Sequence, residues 1–260
     1  LLLMVFPETL DVYHTLGVAS FVLFEAKHWE WYQISIWVVS IILALELLGA
    51  SIKIMKPFFS SIPPKGRALD SLATIDYCYI WFNRLCTPIF TFQVLQFCWY
   101  SPTVVWDLHS IGLLNTIGAL LFFFILFDFF YTIYHRILHI RGIYKFVHKH
   151  HHRQSVPTRG NVDAINVHPI EFVMGEYNHL FVMYLVTRLM HIHVFSVLLF
   201  LLVGGTLASL NHTRYDIKFL NIYQVKYHDI HHWYPRANFG QYTMLWDHVF
   251  GWFKDFPATK

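Results

Sequence analysis

Apolar residues fall into a few long runs separated by short polar stretches, a pattern of helices crossing a membrane more than of half-buried soluble ones. Residues 33–50 form the first run, edged by Trp31 and Tyr32 and interrupted only by Glu46, which must face protein or water. A Pro63-Pro64-Lys65-Gly66 loop follows within 60–67. Residues 85–99 give a second run that Pro88 is expected to kink. The clearest run is 111–130, and nothing after Gly118 stops its helix before His139. Such a helix is roughly 43 Å long, more than a hydrocarbon core, so its end should project into water. Residues 172–190 and 194–210 are two further runs, read as two spans or as one re-entrant hairpin, and 212–260 is polar and rich in Trp and Tyr. The expected fold is all-α: a polytopic membrane bundle of about four spans, or spans plus a hairpin. It forms a single domain, with membrane helices in 1–110 and a histidine-rich region in 111–260.

Composition agrees. The chain has 260 residues, of which 56% are hydrophobic, 19% aromatic and only 13% charged. A net charge of +3 gives no reason to expect nucleic acid. Cys78, Cys86 and Cys98 form no CxxC pair and read as reduced core thiols. The first residue is Leu, and the opening stretch 1–6 is too short for a signal peptide. Basic clusters at 136–159 and 212–236 flank the last two apolar runs. A hairpin would therefore place both on one membrane face, the cytosolic one by the positive-inside rule.

Histidine changes the picture most: there are 18. His135 and His139, four apart, share a helical face at the end of the long run. His148, His151 and His152 form an HxxHH box, and i, i+3, i+4 spacing on a helix puts them on one face with His150 turned away. His228, His231 and His232 repeat the box, and His212 stands alone before it. One HxxxH or one HKHHH tract arises readily as a solvated patch, but two HxxHH boxes with an HxxxH at the end of an apolar helix do not. These nine imidazoles are too many for one ion and suit two, expected about 4–6 Å apart in a cap at the aqueous end of the bundle. Asp128 and Tyr131 lie beneath His135 on its helix, and Asp229 sits inside the last box. Asp128 is expected to hold a ligand histidine through its distal N–H, the alternative being a pair with a basic residue at the interface, and Asp229 is a second candidate for the same part. His168 reads as a tenth ligand, a gate, or a cap on the helix after it. His14, His28, His109, His179, His191, His193 and His248 read as interfacial or packed, and Phe122–Phe124 as lipid-facing or core.

The boxes resemble the sterol desaturase / fatty acid hydroxylase superfamily of membrane di-iron oxygenases. The resemblance runs from Asp128-x2-Tyr131-x2-Tyr134-His135-Arg136-x2-His139 through Tyr144-Lys145-x2-His148-Lys149-x-His151-His152 and His168-Pro169-x-Glu171. It continues through His212-x2-Tyr215-Asp216 and His228-Asp229-x-His231-His232 to Asn238-Phe239-Gly240 and Trp246-Asp247-x2-Phe250-Gly251. The HxxYD and HDxHH forms look most like the C-4 methylsterol oxidase and cholesterol hydroxylase branch. Thr213-Arg214 replaces that branch's usual Ser-Gly, the stretch 159–166 is an unusual insert, and Ala208 stands where some relatives carry a further histidine.

The resemblance implies an endoplasmic-reticulum enzyme that uses two iron ions, O2 and a separate electron donor such as cytochrome b5 or a reductase. Zinc also fits such sites in a purified sample, but it cannot change oxidation state, so iron follows from the implied reaction. The substrate expected is a lipid entering from the bilayer and being hydroxylated, oxidised or desaturated. A sterol-like molecule is favoured. Arg214 and the insert, with Asp163, Asn161 and Asn166 lining a headgroup site, would instead select a sphingoid or fatty acyl lipid. Two rivals remain: a non-catalytic scaffold retaining this fold within a membrane complex, and a zinc hydrolase, disfavoured because no HExxH occurs.

Overall fold

The computed structural model describes residues 30–66, 69, 71–220 and 222–257, so the opening stretch, His14 and His28 lie outside the described residues. The first apolar run becomes α1 (Trp31–Ile54). Glu46 leaves the apolar surroundings by pairing with Arg84 on the next helix, 2.9 Å away. That helix, α2 (Thr74–Tyr100), runs as one element through Pro88 and begins eleven residues before the apolar run. Around the proline, the Thr87 and Thr91 hydroxyls donate to carbonyls of the preceding turns, Asn83 and Thr87. Cys98 is buried in α2 and Cys86 half-buried, but Cys78 is exposed near the helix start, so it is not a core thiol.

The long run differs from expectation at its start. Ile111 and Gly112 are not part of it. A π-helical turn, Leu113–Gly118, leads into α3 (Ala119–Leu138), with His139 as its C-cap. Two helices, Trp31–Phe58 and Leu113–Leu138, are long and apolar enough to cross a membrane. After α4 (Arg141–Phe146) and the short α5 (Asn161–Ala164), α6 (Pro169–Thr187) and α7 (Val194–Leu210) both pack on α3. Their connection carries β2 (Ile192–His193), paired in parallel with β1 (Val104–Val105). A second ribbon, β3 (Lys218–Phe219) with β4 (Tyr223–Gln224), leads to α8 (Val225–Trp233) and α9 (Leu245–Phe250).

The core lies where α2, α3, α6 and α7 meet, around Phe90, Phe123, Phe127, Met183, Val186 and Phe200. The β1–β2 pair closes one end. At the other end the C-terminus of α3, the start of α6 and the end of α7 come together. Asn83 fastens α2 there by donating to the carbonyls of Ile165 and Val167 at 2.8 and 2.9 Å. The α6–α7 turn thus lies away from the histidines, and both basic clusters sit at one end of the bundle.

Candidate metal centre

Helix α3 presents His135 and ends at His139. The second box is not a regular α-helix: His148 sits in a turn after α4, and His151–Arg153 is a single 3-10 turn. His212 follows the end of α7, and α8 carries His228, His231 and His232. Nine imidazoles from these separate elements converge as two groups. His135, His139, His148, His152 and His231 form one; His151, His212, His228 and His232 form the other, with donor atoms in each group within 4.8 Å of one another. Each HxxHH box therefore serves both groups, its i, i+4 pair facing one and its middle histidine the other.

Their ring nitrogens reveal what they await. His135 Nδ1 donates to the Phe239 carbonyl at 2.8 Å, and His148 Nδ1 to Glu171 Oε1 at 2.8 Å. His231, His232 and His212 donate in the same way to the carbonyls of Ala237, Gln154 and Ala208, each at 2.8 Å. A neutral imidazole with its proton on Nδ1 carries only a lone pair on Nε2. Yet the Nε2 atoms of His135 and His148, both with Nδ1 committed, are 3.0 Å apart; those of His148 and His152 are also 3.0 Å apart and those of His228 and His232 3.1 Å, with Nδ1 of His152 and His228 left without a partner. Facing lone pairs repel unless a cation lies between them. Two nitrogens bound at right angles to one ion at about 2.1 Å would stand roughly 3.0 Å apart, so the donor set fits a metal in each group.

Protonation cannot relieve the crowding. Burial first, and neighbouring imidazoles second, push His148, His151, His228, His231 and His232 well below the ordinary histidine range. His152 is pushed down to about 3 by the same causes.

The carboxylates do not act as their spacing suggested. Asp128 touches no histidine: its oxygens accept the backbone N–H groups of Gln241 and Tyr242 at 3.2 and 3.0 Å, and that of Thr243. It therefore acts on the loop that offers the Phe239 carbonyl to His135. Asp247 grips the same loop through the Phe239 and Gly240 N–H groups at 2.7 and 2.8 Å. Gly240 is required there, since an added Cβ would collide with the Thr243 carbonyl. Asp229 pairs with buried Arg214 and not with a ligand histidine. Tyr131 packs its ring edge on His135, centroids 5.3 Å apart.

Arg214 also donates to the carbonyls of Ile62 and Pro63, so it is a buried brace and not a lipid headgroup contact. The insert is likewise structural. Asp163 accepts the Thr158 and Arg159 N–H groups, Asn161 donates to Ser209, and Asn166 meets Asp76 and His150. His168 is the cap: its Nδ1 accepts from Ile170 N at 3.2 Å. His150 is turned away as expected, 3.0 Å from Asp76 Oδ1. His179 and His193 are packed within the protein, while His109, His191 and His248 are exposed. Phe123 is core and Phe122 exposed.

Sequence reasoning missed Glu171 and Asp247. Glu171 stands 23 positions from His148 in the chain, and only the His168-Pro169-x-Glu171 motif pointed to it.

Fold and site together define an α-helical protein with a paired polyhistidine centre able to hold metal. The chain belongs to the fatty acid hydroxylase family, whose model matches residues 120–252. It is similar to a fatty acid hydroxylase of Mycosarcoma maydis, 37% identical over 50% of this chain and 31% of that protein. It is similar also to a Delta(7)-sterol 5(6)-desaturase of Eremothecium gossypii, 34% identical over 57% of this chain and 41% of the relative. A C-4 methylsterol oxidase of Schizosaccharomyces pombe is 31% identical over 49% of this chain and 44% of its own. The chain thus spans less than half the length of each of these relatives. No solved structure matches it.

Proposed function

We propose that the protein is a membrane di-iron oxygenase that hydroxylates, oxidises or desaturates a lipid. The observation that carries this reading is the two sets of imidazoles whose Nε2 atoms converge, with the Nδ1 protons of His135, His148, His212, His231 and His232 already committed. In this reading one ion is held by His135, His139, His148, His152 and His231, and the other by His151, His212, His228 and His232. Iron, when bound, supplies the redox chemistry toward O2 and an inert C–H bond that no side chain offers.

The chain's own residues do the rest. Backbone carbonyls fix the tautomers of His135, His212, His231 and His232, and Glu171 draws the Nδ1 proton of His148, making that nitrogen ligand more basic. The aromatic packing beneath, with Tyr131 and Phe127, makes the lower side of the centre apolar. The four-histidine group has one donor fewer and is the natural place for an exogenous ligand.

Two apolar helices and the family support a membrane protein. We assign the histidine end to the cytosolic face of the endoplasmic reticulum, where a separate donor such as cytochrome b5 or a reductase delivers electrons. Names of similar proteins include both sterol and fatty acid enzymes, so a sterol-like substrate rests on the HxxYD and HDxHH forms alone. Expression with iron and an electron donor under 18-O2, followed by lipid mass spectrometry, tests the proposal. One labelled oxygen in a lipid, or a new double bond, is expected. An iron-loaded, reduced protein that changes no lipid would make it a scaffold instead.

A further inference from the structure

Two side chains on helix stripes that face the bundle interior keep accessible surface. On α6, Phe172, Leu180, Met183 and Thr187 point inward and are buried, while Glu176 on the same stripe keeps accessible surface. On α3, Tyr131 does so between buried Phe127 and His135. Both are half-buried on stripes whose neighbours are buried, so the surface they keep faces the bundle interior.

Next to Glu176, His179 donates from Nδ1 to the Gly175 carbonyl at 3.1 Å and accepts the Tyr242 hydroxyl at Nε2, 3.2 Å away. The rings of Phe127 and Phe200 stand 4.2 and 5.1 Å from its own. Gly204 makes the Tyr242 contact possible, since a Cβ there would lie 2.7 Å from the hydroxyl. The polar capacity of His179 and Tyr242 is thus spent on each other. Glu176, one turn before His179, has no hydrogen-bond partner for its carboxyl group among the described residues. A half-buried, unpartnered carboxyl group facing the bundle interior is costly to keep, and it lies five residues along α6 from Glu171, a rise of about 7–8 Å along the helix axis from that residue.

The geometry points to Glu176 as the recognition point for a hydroxyl group on the lipid substrate, between α2, α3 and α6. This rests on the lipid-oxygenase reading. A hydroxyl donates to the carboxyl group in either protonation state, whereas a bare alkyl chain leaves it unpaired. An ammonium group would bring a second charge into an aromatic-lined space.

The test uses the full chain, metal-loaded and in lipid nanodiscs, with two probe pairs differing only in the hydroxyl: cholesterol with 5-cholestene, and 1-octadecanol with octadecane. Wild type is expected to bind the hydroxylated member of one pair about tenfold more tightly, the worth of one hydrogen bond to an ionisable group. Which pair responds separates sterol from chain. Glu176→Leu should bring the two members within about twofold and raise the thermal midpoint, because a lone carboxyl group has gone. Glu176→Gln, which still forms hydrogen bonds, should keep most of the preference and guards against a folding defect. Equal affinities within both pairs for wild type, or a preference surviving in Glu176→Leu, overturns the assignment. If 18-O is incorporated without hydroxyl discrimination, only the Glu176 assignment falls. If no probe binds and no label enters any lipid, the oxygenase reading falls with it.

Discussion

One oxygen of Glu171 takes the Nδ1 proton of His148, while its other oxygen is buried without a partner. Removing the charge while keeping the shape isolates its effect on the metal. Glu171→Gln should weaken metal retention roughly 10- to 100-fold, read as the chelator concentration that strips half the bound metal; wild-type retention would reduce Glu171 to packing. Asp128→Asn should behave differently. It loses acceptors for the N–H groups of the 241–243 loop, so a stability loss of about 1–3 kcal/mol is expected while both ions remain. Single-residue reasoning found every histidine of both groups but misassigned their partners. Seven residues on a helix do place Asp128 under His135, yet a loop over a hundred residues later arrives first, and nothing near position 128 announces it. His150→Ala should keep both ions and lose stability only through Asp76, whereas His151→Ala should lose an ion from the four-histidine group. Equal metal loss in the two would contradict the geometry.

At the scale of elements, α8 explains why each box divides. At 100° per residue His228 and His232 lie 40° apart, but His231 and His232 lie 100° apart. One helix between two groups therefore feeds both. The spacing showed that these histidines share a broad face and did not show that the face straddles two groups, because that depends on what packs opposite. The second box reaches the same division from a turn and a 3-10 turn, where a regular helix was expected. In the same way α2 runs through a proline that its sequence marked as a break, because neighbouring threonines and packing on α1 and α6 sustain it. His228→Ala and His231→Ala should each lower metal content from two ions toward one, leaving different ions behind. Their electron paramagnetic resonance signals should differ, and the double variant should hold neither. Identical residual signals would mean that the groups are not distinct.

For the molecule as a whole, the apolar runs foretold the helices, and left open whether the last two were separate spans or a hairpin. They did not foretell how far the histidine cap depends on its own burial. Imidazoles held neutral by burial link folding to pH in a definite direction. Their folded-state pKa values lie below the unfolded value near 6.5, down to about 3 for His152. The unfolded chain then binds protons below about pH 6.5 that the folded chain refuses, so stability is present above that value and lost as pH falls. Many histidines act together, and bound metal adds to the same slope because protons compete for the same Nε2 lone pairs. Thermal midpoints of metal-loaded and metal-free protein should both be nearly level from pH 8 to 7 and fall steeply from pH 6.5 to 5. The loaded form should start higher and converge on the metal-free one as metal leaves. A variant with His151, His212, His228 and His232 all replaced by Gln should show a shallower fall, since fewer refused protons remain. If the midpoint of wild type were flat across pH 7 to 5, the imidazoles would have to be hydrated and free to protonate, and a dry, neutral nest built to receive two cations would be the wrong description of this end of the protein.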